Sequence, residues 1–110
     1  MQTELQIAFQ DIPPSEAVET RIREKVAKLE QFHDRITSCR VVVAKPHRHG
    51  HKGTLYAVRI DLTIPGGVEI VVNRDPGLDH GHEDVYVAIR DAFDSARRQL
   101  QDHLGRMQAH

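Results

Sequence analysis

Tyr56, Val58, Ile60, Leu62 and Ile64 alternate with Ala57, Arg59, Asp61 and Thr63, and Pro65-Gly66-Gly67 follows at once. Alternation of this length sends every apolar side chain to one side of an extended strand, and a Pro-Gly-Gly turn folds the chain straight back. Residues 68–73 supply the returning strand. The chain is therefore committed to a hairpin with one apolar face, and the remaining sequence must provide whatever covers that face. At 110 residues, with 39% hydrophobic and 28% charged side chains, there is enough material for one domain over residues 1–110 and one core.

The other segments complete the pattern. Leu5, Ile7 and Phe9 alternate with polar neighbours and stop at Pro13-Pro14, which predicts a first strand. Ser15 offers a capping oxygen, Glu16 and Glu19 suit the positive end of a helix, and Val18, Ile22, Val26 and Leu29 recur at helical spacing over residues 16–31. Residues 36–44, rich in valine at 41, 42 and 43, read as a strand near the sheet centre with Cys39 buried in it. Asp84 can cap a last helix whose apolar stripe is Val85, Ile89, Ala92, Phe93, Ala96, Leu100, Leu104 and Met107. The predicted class is α+β, in the order β-α-β-β-β-α, with a four-stranded mixed sheet and both helices packed on one face. This is similar to a double-stranded-RNA-binding-domain architecture with an added N-terminal strand. A right-handed crossover makes the first two strands parallel, and hairpins make the second, third and fourth an antiparallel meander. The loops at residues 45–53 and 75–83 and both helix N-termini then share one end of the sheet.

Charge is distributed unevenly along a chain whose formal net value is -1. From Arg35 to Arg59 there are six basic residues (Arg35, Arg40, Lys45, Arg48, Lys52, Arg59) and no acid, whereas residues 60–84 carry six acids against Arg74 alone. Arg21, Lys25 and Lys28, at i, i+4 and i+7, form a basic stripe on the first helix that faces solvent. Such segments either neutralise each other across the fold or make a local phosphate-binding surface. Histidines concentrate in the two loops as His47, His49, His51 and His80, His82. Imidazoles alternating in this way could ligate zinc, nickel or copper, or add positive charge when protonated, or do neither. No HExxH spacing, Gly-rich phosphate loop or nucleophile elbow is present, and the aromatics, 5% of the chain with Phe9, Phe32, Tyr56, Phe93 and Tyr86 mostly on apolar faces, do not make a base-stacking platform. No apolar run approaches a membrane span, and the first ten residues lack the basic and apolar regions of a secretory signal. With Cys39 as the single cysteine, the expected location is cytoplasmic and the expected cofactor set is empty.

Two segments are more specific than their periodicity. Lys28-Leu29-Glu30-Gln31-Phe32-His33-Asp34-Arg35-Ile36 resembles the KLE-x-(F/Y)-x-DRI signature of the bacterial ribosome hibernation promoting factors, and Asp84-Val85-Tyr86-Val87-Ala88-Ile89 with Arg98-Gln99-Leu100 resembles that family's D-x-Y-x-A-I and R-Q-L segments. The resemblance implies a non-enzymatic protein that sits on the small ribosomal subunit, in the channel for messenger and transfer RNA, and blocks translation under stress or in stationary phase. It implies that Lys25, Lys28, Arg98 and Arg106 turn toward ribosomal RNA. With the stripe and the remaining basic positions, the expected RNA-binding set is Arg21, Lys25, Lys28, Arg35, Lys45, Arg48, Lys52, Arg90, Arg97, Arg98 and Arg106. Ser95 and Asp102 stand where relatives often carry lysine, so the second helix is less basic than the family pattern. The expected partners are the small subunit and its RNA, without a membrane or a small-molecule substrate, and weak self-association stays open. A metal-binding protein using the five loop histidines is the alternative. A third is a regulator that docks another protein near Arg59 and Asp61.

Overall fold

A computed structural model describes residues 4–33, 35–45, 56–74 and 84–108, with the backbone alone for Arg74 and residues 104–108. The element order is β1 (Glu4–Gln10), α1 (Glu16–Phe32), β2 (Ser38–Ala44), β3 (Ala57–Ile64), β4 (Val68–Arg74) and α2 (Val85–Gln108), as the periodicities predict. Two strands start later than expected, β3 by one residue at Ala57 and β2 by two at Ser38. Ile36 is buried ahead of β2, and Thr37 donates its N–H to the Thr63 carbonyl (2.8 Å) at the rim of the sheet.

The strands lie in the order β1-β2-β3-β4, with β1 and β2 parallel and the other two pairings antiparallel. Because side chains alternate between faces, the register turns the sequence pattern into rows. Leu5, Cys39, Leu62 and Ile70 stand side by side across the four strands, and Ile7, Val41, Ile60 and Val72 form the next row. The members of these rows on β2 and β3 are fully buried. At the hairpin, Ile64 pairs with Val68 across three residues, and Gly66 (φ 95°) and Gly67 (φ 74°) both take the left-handed conformation that side chains with a Cβ resist.

Both helices cover this apolar face. Ser15 accepts a hydrogen bond from the Val18 N–H (3.3 Å) and starts α1, whose Val18, Ile22, Val26 and Leu29 are all buried. α2 starts at Asp84, whose carboxylate accepts from the Tyr86 N–H (2.9 Å) and whose carbonyl accepts from the Ala88 N–H (3.1 Å). It lies over β3 and β4 and beside α1. Ala88, Ala92 and Ala96 keep its buried side thin, while Ile89, Phe93 and Leu100 fill the core. The other face of the sheet is polar. Its rows run Glu4, Ser38, Thr63, Glu69 and Gln6, Arg40, Asp61, Val71, with Arg59 donating to Asp61 at 3.1 Å.

Candidate nucleic-acid interface

A seam between the two helices gathers most of the predicted basic residues that the structure describes. Each helix contributes a row at i, i+4, i+7 and i+11, the spacing that keeps side chains on one side of a helix. On α1 the row is Arg21, Lys25, Lys28 and Phe32, and on α2 it is Tyr86, Arg90, Phe93 and Arg97. The rows face each other. The Arg21 guanidinium lies over the Tyr86 ring, 5.1 Å from its centroid, and the Arg97 guanidinium lies over the Phe32 ring at 5.0 Å. Since both contacts join residues offset by the same amount in sequence, α1 and α2 run parallel and stay in step from one contact to the other. That follows from the sheet, because β1 and β4 feed the two helices from the same end.

Between the two arginines the seam is a groove lined by Lys25, Lys28, Leu29, Gln31, Phe32, Phe93, Asp94 and Arg97. Lys25 is half-buried in the groove lining, whereas Arg21, Lys28 and Arg97 are exposed. Carboxylates temper these cations. Arg21 approaches Glu24 at 3.9 Å, Arg90 pairs with Asp91 at 3.1 Å, and Asp94 sits in the groove itself. All of these pairs are exposed enough to exchange partners for a phosphate at small cost.

The chain matches the family model described as Sigma 54 modulation protein / S30EA ribosomal protein over residues 5–108. It belongs to this family. Among relatives, a ribosome hibernation promoting factor of Pseudomonas putida is 31% identical over 106 residues, covering 96% of this chain and 91% of the relative. One from Azotobacter vinelandii is 29% identical over 101 residues, covering 91% and 81%. Among solved structures, a ribosomal subunit interface protein from Coxiella burnetii superposes with a TM-score of 0.75 at 15% identity, over 93% of this chain and 98% of that one. The N-terminal domain of Protein Y from Thermus thermophilus gives 0.64 at 19%, over 91% and 98%. At those identities the two structures speak to the shared fold.

Seen on this S30EA fold, the predicted basic set separates. Arg21, Lys25, Lys28, Arg90 and Arg97 are brought together along the seam. Arg98 is exposed beyond it and donates to Ser95 Oγ (3.3 Å) on its own helix. Arg35 is exposed after α1, at the end of the sheet where β2 begins, and Lys45 lies at the opposite end, its N–H bonded to the Gln10 carbonyl (3.2 Å). Arg106 is in the last turns of α2, and its side chain lies outside the described residues, as do Arg48 and Lys52. His47, His49, His51, His80 and His82 are outside them too, and among the described residues no group of three or more histidines, cysteines or carboxylates could hold a metal. Phe32 and Tyr86 pack against the core, as their place on the apolar faces predicts, and each also carries an arginine over its ring, which the sequence reading misses. The signal was present in the spacing, since Phe32 continues the Arg21-Lys25-Lys28 row by one more turn.

Cys39 takes no part in this surface. It is buried in the central rows, and its thiol is pushed up to about 12, first by burial and then by the nearby charges of Asp61 and Glu30. A thiol in that state is a small core residue, not a nucleophile.

Proposed function

We propose that this protein is a ribosome hibernation factor that binds the small ribosomal subunit in the channel for messenger and transfer RNA and halts translation by occupying it. The observation that carries the reading is the family match over residues 5–108, together with relatives named for ribosome hibernation. The seam supplies a physical means. Arg21, Lys25, Lys28 and Arg97 are mounted on two helices locked to one core, so their Cα atoms sit at fixed intervals and their charges can follow an RNA backbone. Arginine adds paired N–H donors suited to phosphate oxygens. Occlusion needs no bond to be made or broken, so the reading assigns no catalytic residue. A cytoplasmic location goes with the proposed partner.

Co-sedimentation with isolated small subunits over a salt series tests this. The expected result is saturable, equimolar binding that weakens with salt and is lost when messenger and transfer RNA already fill the channel. Absence of binding at low salt would overturn the proposal, and binding indifferent to channel occupancy would overturn the placement.

A further inference from the structure

The two arginine–ring contacts bracket the groove, and among the described residues the lysines between them have no ring stacked against them. A free arginine side chain explores many rotamers, and ordering it on a phosphate costs that freedom. A guanidinium laid on an aromatic face loses the freedom beforehand, while its N–H donors at the edge of the plane stay available for an anion. Both rings come from the neighbouring helix, Tyr86 for Arg21 and Phe32 for Arg97, so each arginine is aimed by an element other than its own. Eleven residues at the helical rise set the two contacts about 16 Å apart along the seam. Phe93, buried below, and Leu29 give the groove between them a rigid floor.

We infer that Phe32 and Tyr86 are positioning residues: they hold Arg97 and Arg21 in place as two fixed phosphate clamps at the ends of the groove, with Lys25 and Lys28 as adaptable charges between. This inference rests on the RNA-binding reading above for its ligand, but not for the ordering of the arginines. It also gives a physical role to one aromatic in each of the two segments that carry the family resemblance, Phe32 in the first and Tyr86 in the second.

The test joins a binding cycle to a measurement on the free protein. Phe32→Leu is expected to weaken binding to small subunits about two- to fivefold, which corresponds to an exposed cation–π contact, and to leave the salt slope unchanged because no charge is removed. Phe32→Tyr should restore wild-type binding. Arg97→Lys keeps the charge and the ring but loses the planar stack, so it should cost about as much as Phe32→Leu. The double variant should be no weaker than either single one. Independent, additive losses would overturn the inference, as would wild-type affinity in Phe32→Leu. Because Arg97→Lys leaves the ring packed, the outcome does not depend on Phe32→Leu folding. Separately, 15N relaxation of the arginine Nε–Hε groups in the free protein should show Arg97 and Arg21 ordered, and each released by Phe32→Leu or Tyr86→Leu respectively. Mobile arginines in the wild-type protein overturn the inference whatever the ribosome does. Ordered arginines alongside absent subunit binding overturn the RNA-binding reading instead.

Discussion

Replacing Lys28 by alanine removes one charge from the middle of the groove without touching the core, since Lys28 is exposed and Leu29 beside it does the packing. Its effect on binding can be worked out from the number of cations that share the seam. Lys25, Lys28 and Arg97 line the groove and Arg21 is stacked at its end, whereas Arg90 is not among the lining residues, which leaves Arg21, Lys25, Lys28 and Arg97 as the side chains best placed to displace counterions. With a contribution of about -0.7 for each phosphate neutralised on a single strand, the log–log slope of affinity against salt should be about -2.8 in the wild-type protein and about -2.1 in Lys28→Ala. Between 50 and 200 mM salt the wild-type affinity should then fall about fiftyfold and that of the variant about eighteenfold, a difference well outside the error of a filtration or sedimentation titration. Arg59→Ala is the matched control, because Arg59 is an exposed cation on the other face of the sheet and is bonded to Asp61. Its slope should equal that of the wild-type protein. A slope that Lys28→Ala leaves unchanged, or that Arg59→Ala lowers equally, would refute the argument that the seam between the helices is the phosphate-binding surface.

Other perturbations probe the surroundings of that surface. Asp94 shares the groove with Lys28 and Arg97, so Asp94→Asn should strengthen association with unstructured RNA by about two- to fivefold, measured by fluorescence anisotropy with a labelled oligonucleotide; weaker binding would mean that the carboxylate organises the cations instead of opposing them. The Cys39 thiol should resist alkylation in the folded protein and react only on unfolding, so quantitative labelling at pH 8 under native conditions would contradict its burial. The same burial has a pH signature. Cys39 in the unfolded chain ionises near 9 and in the folded chain near 12, so between those values the unfolded state holds fewer protons and stability should fall as pH rises, a trend that Cys39→Ala should flatten in denaturant titrations. Ile60→Ala, at the centre of the buried row Ile7-Val41-Ile60-Val72, should cost about 2–5 kcal/mol in a chemical unfolding experiment, and a loss below about 1 kcal/mol would show that the core closes over the gap.

The helices and strands could be read from periodicity because each buries one face, and a buried face prints its spacing on the sequence. Leu5, Ile7 and Phe9 show the period of a strand and Val18, Ile22, Val26 and Leu29 that of a helix, and the register then follows from the hairpin and the crossover. The candidate site was only partly readable for the complementary reason. An exposed cation leaves no periodic trace of its partner, so Arg21, Lys25 and Lys28 could be recognised as a stripe but not as one wall of a groove. Arg35 and Lys45 were grouped with them by charge, yet β2 carries its two ends to opposite sides of the domain and separates them. Tyr86 and Phe32 do belong to the apolar faces on which the sequence places them, and the parallel setting of α1 and α2 adds an arginine over each ring.

That parallel setting has a consequence for how a domain with a net charge of -1 could hold RNA at all. The field of the whole molecule is close to neutral, so long-range attraction to a polyanion is weak, and affinity must come from contacts made within a Debye length. Short-range contacts reward geometry. Four cations set along one groove, two of them stacked on rings, gain from a phosphate path that matches their spacing and lose that gain on a path that does not. Glu24 and Asp94 increase the contrast, since each competes for one of these cations whenever a phosphate is badly placed. If the seam holds RNA as proposed, a chain built this way would discriminate by the shape of folded RNA, whereas a uniformly basic helix pair would bind any strand it met.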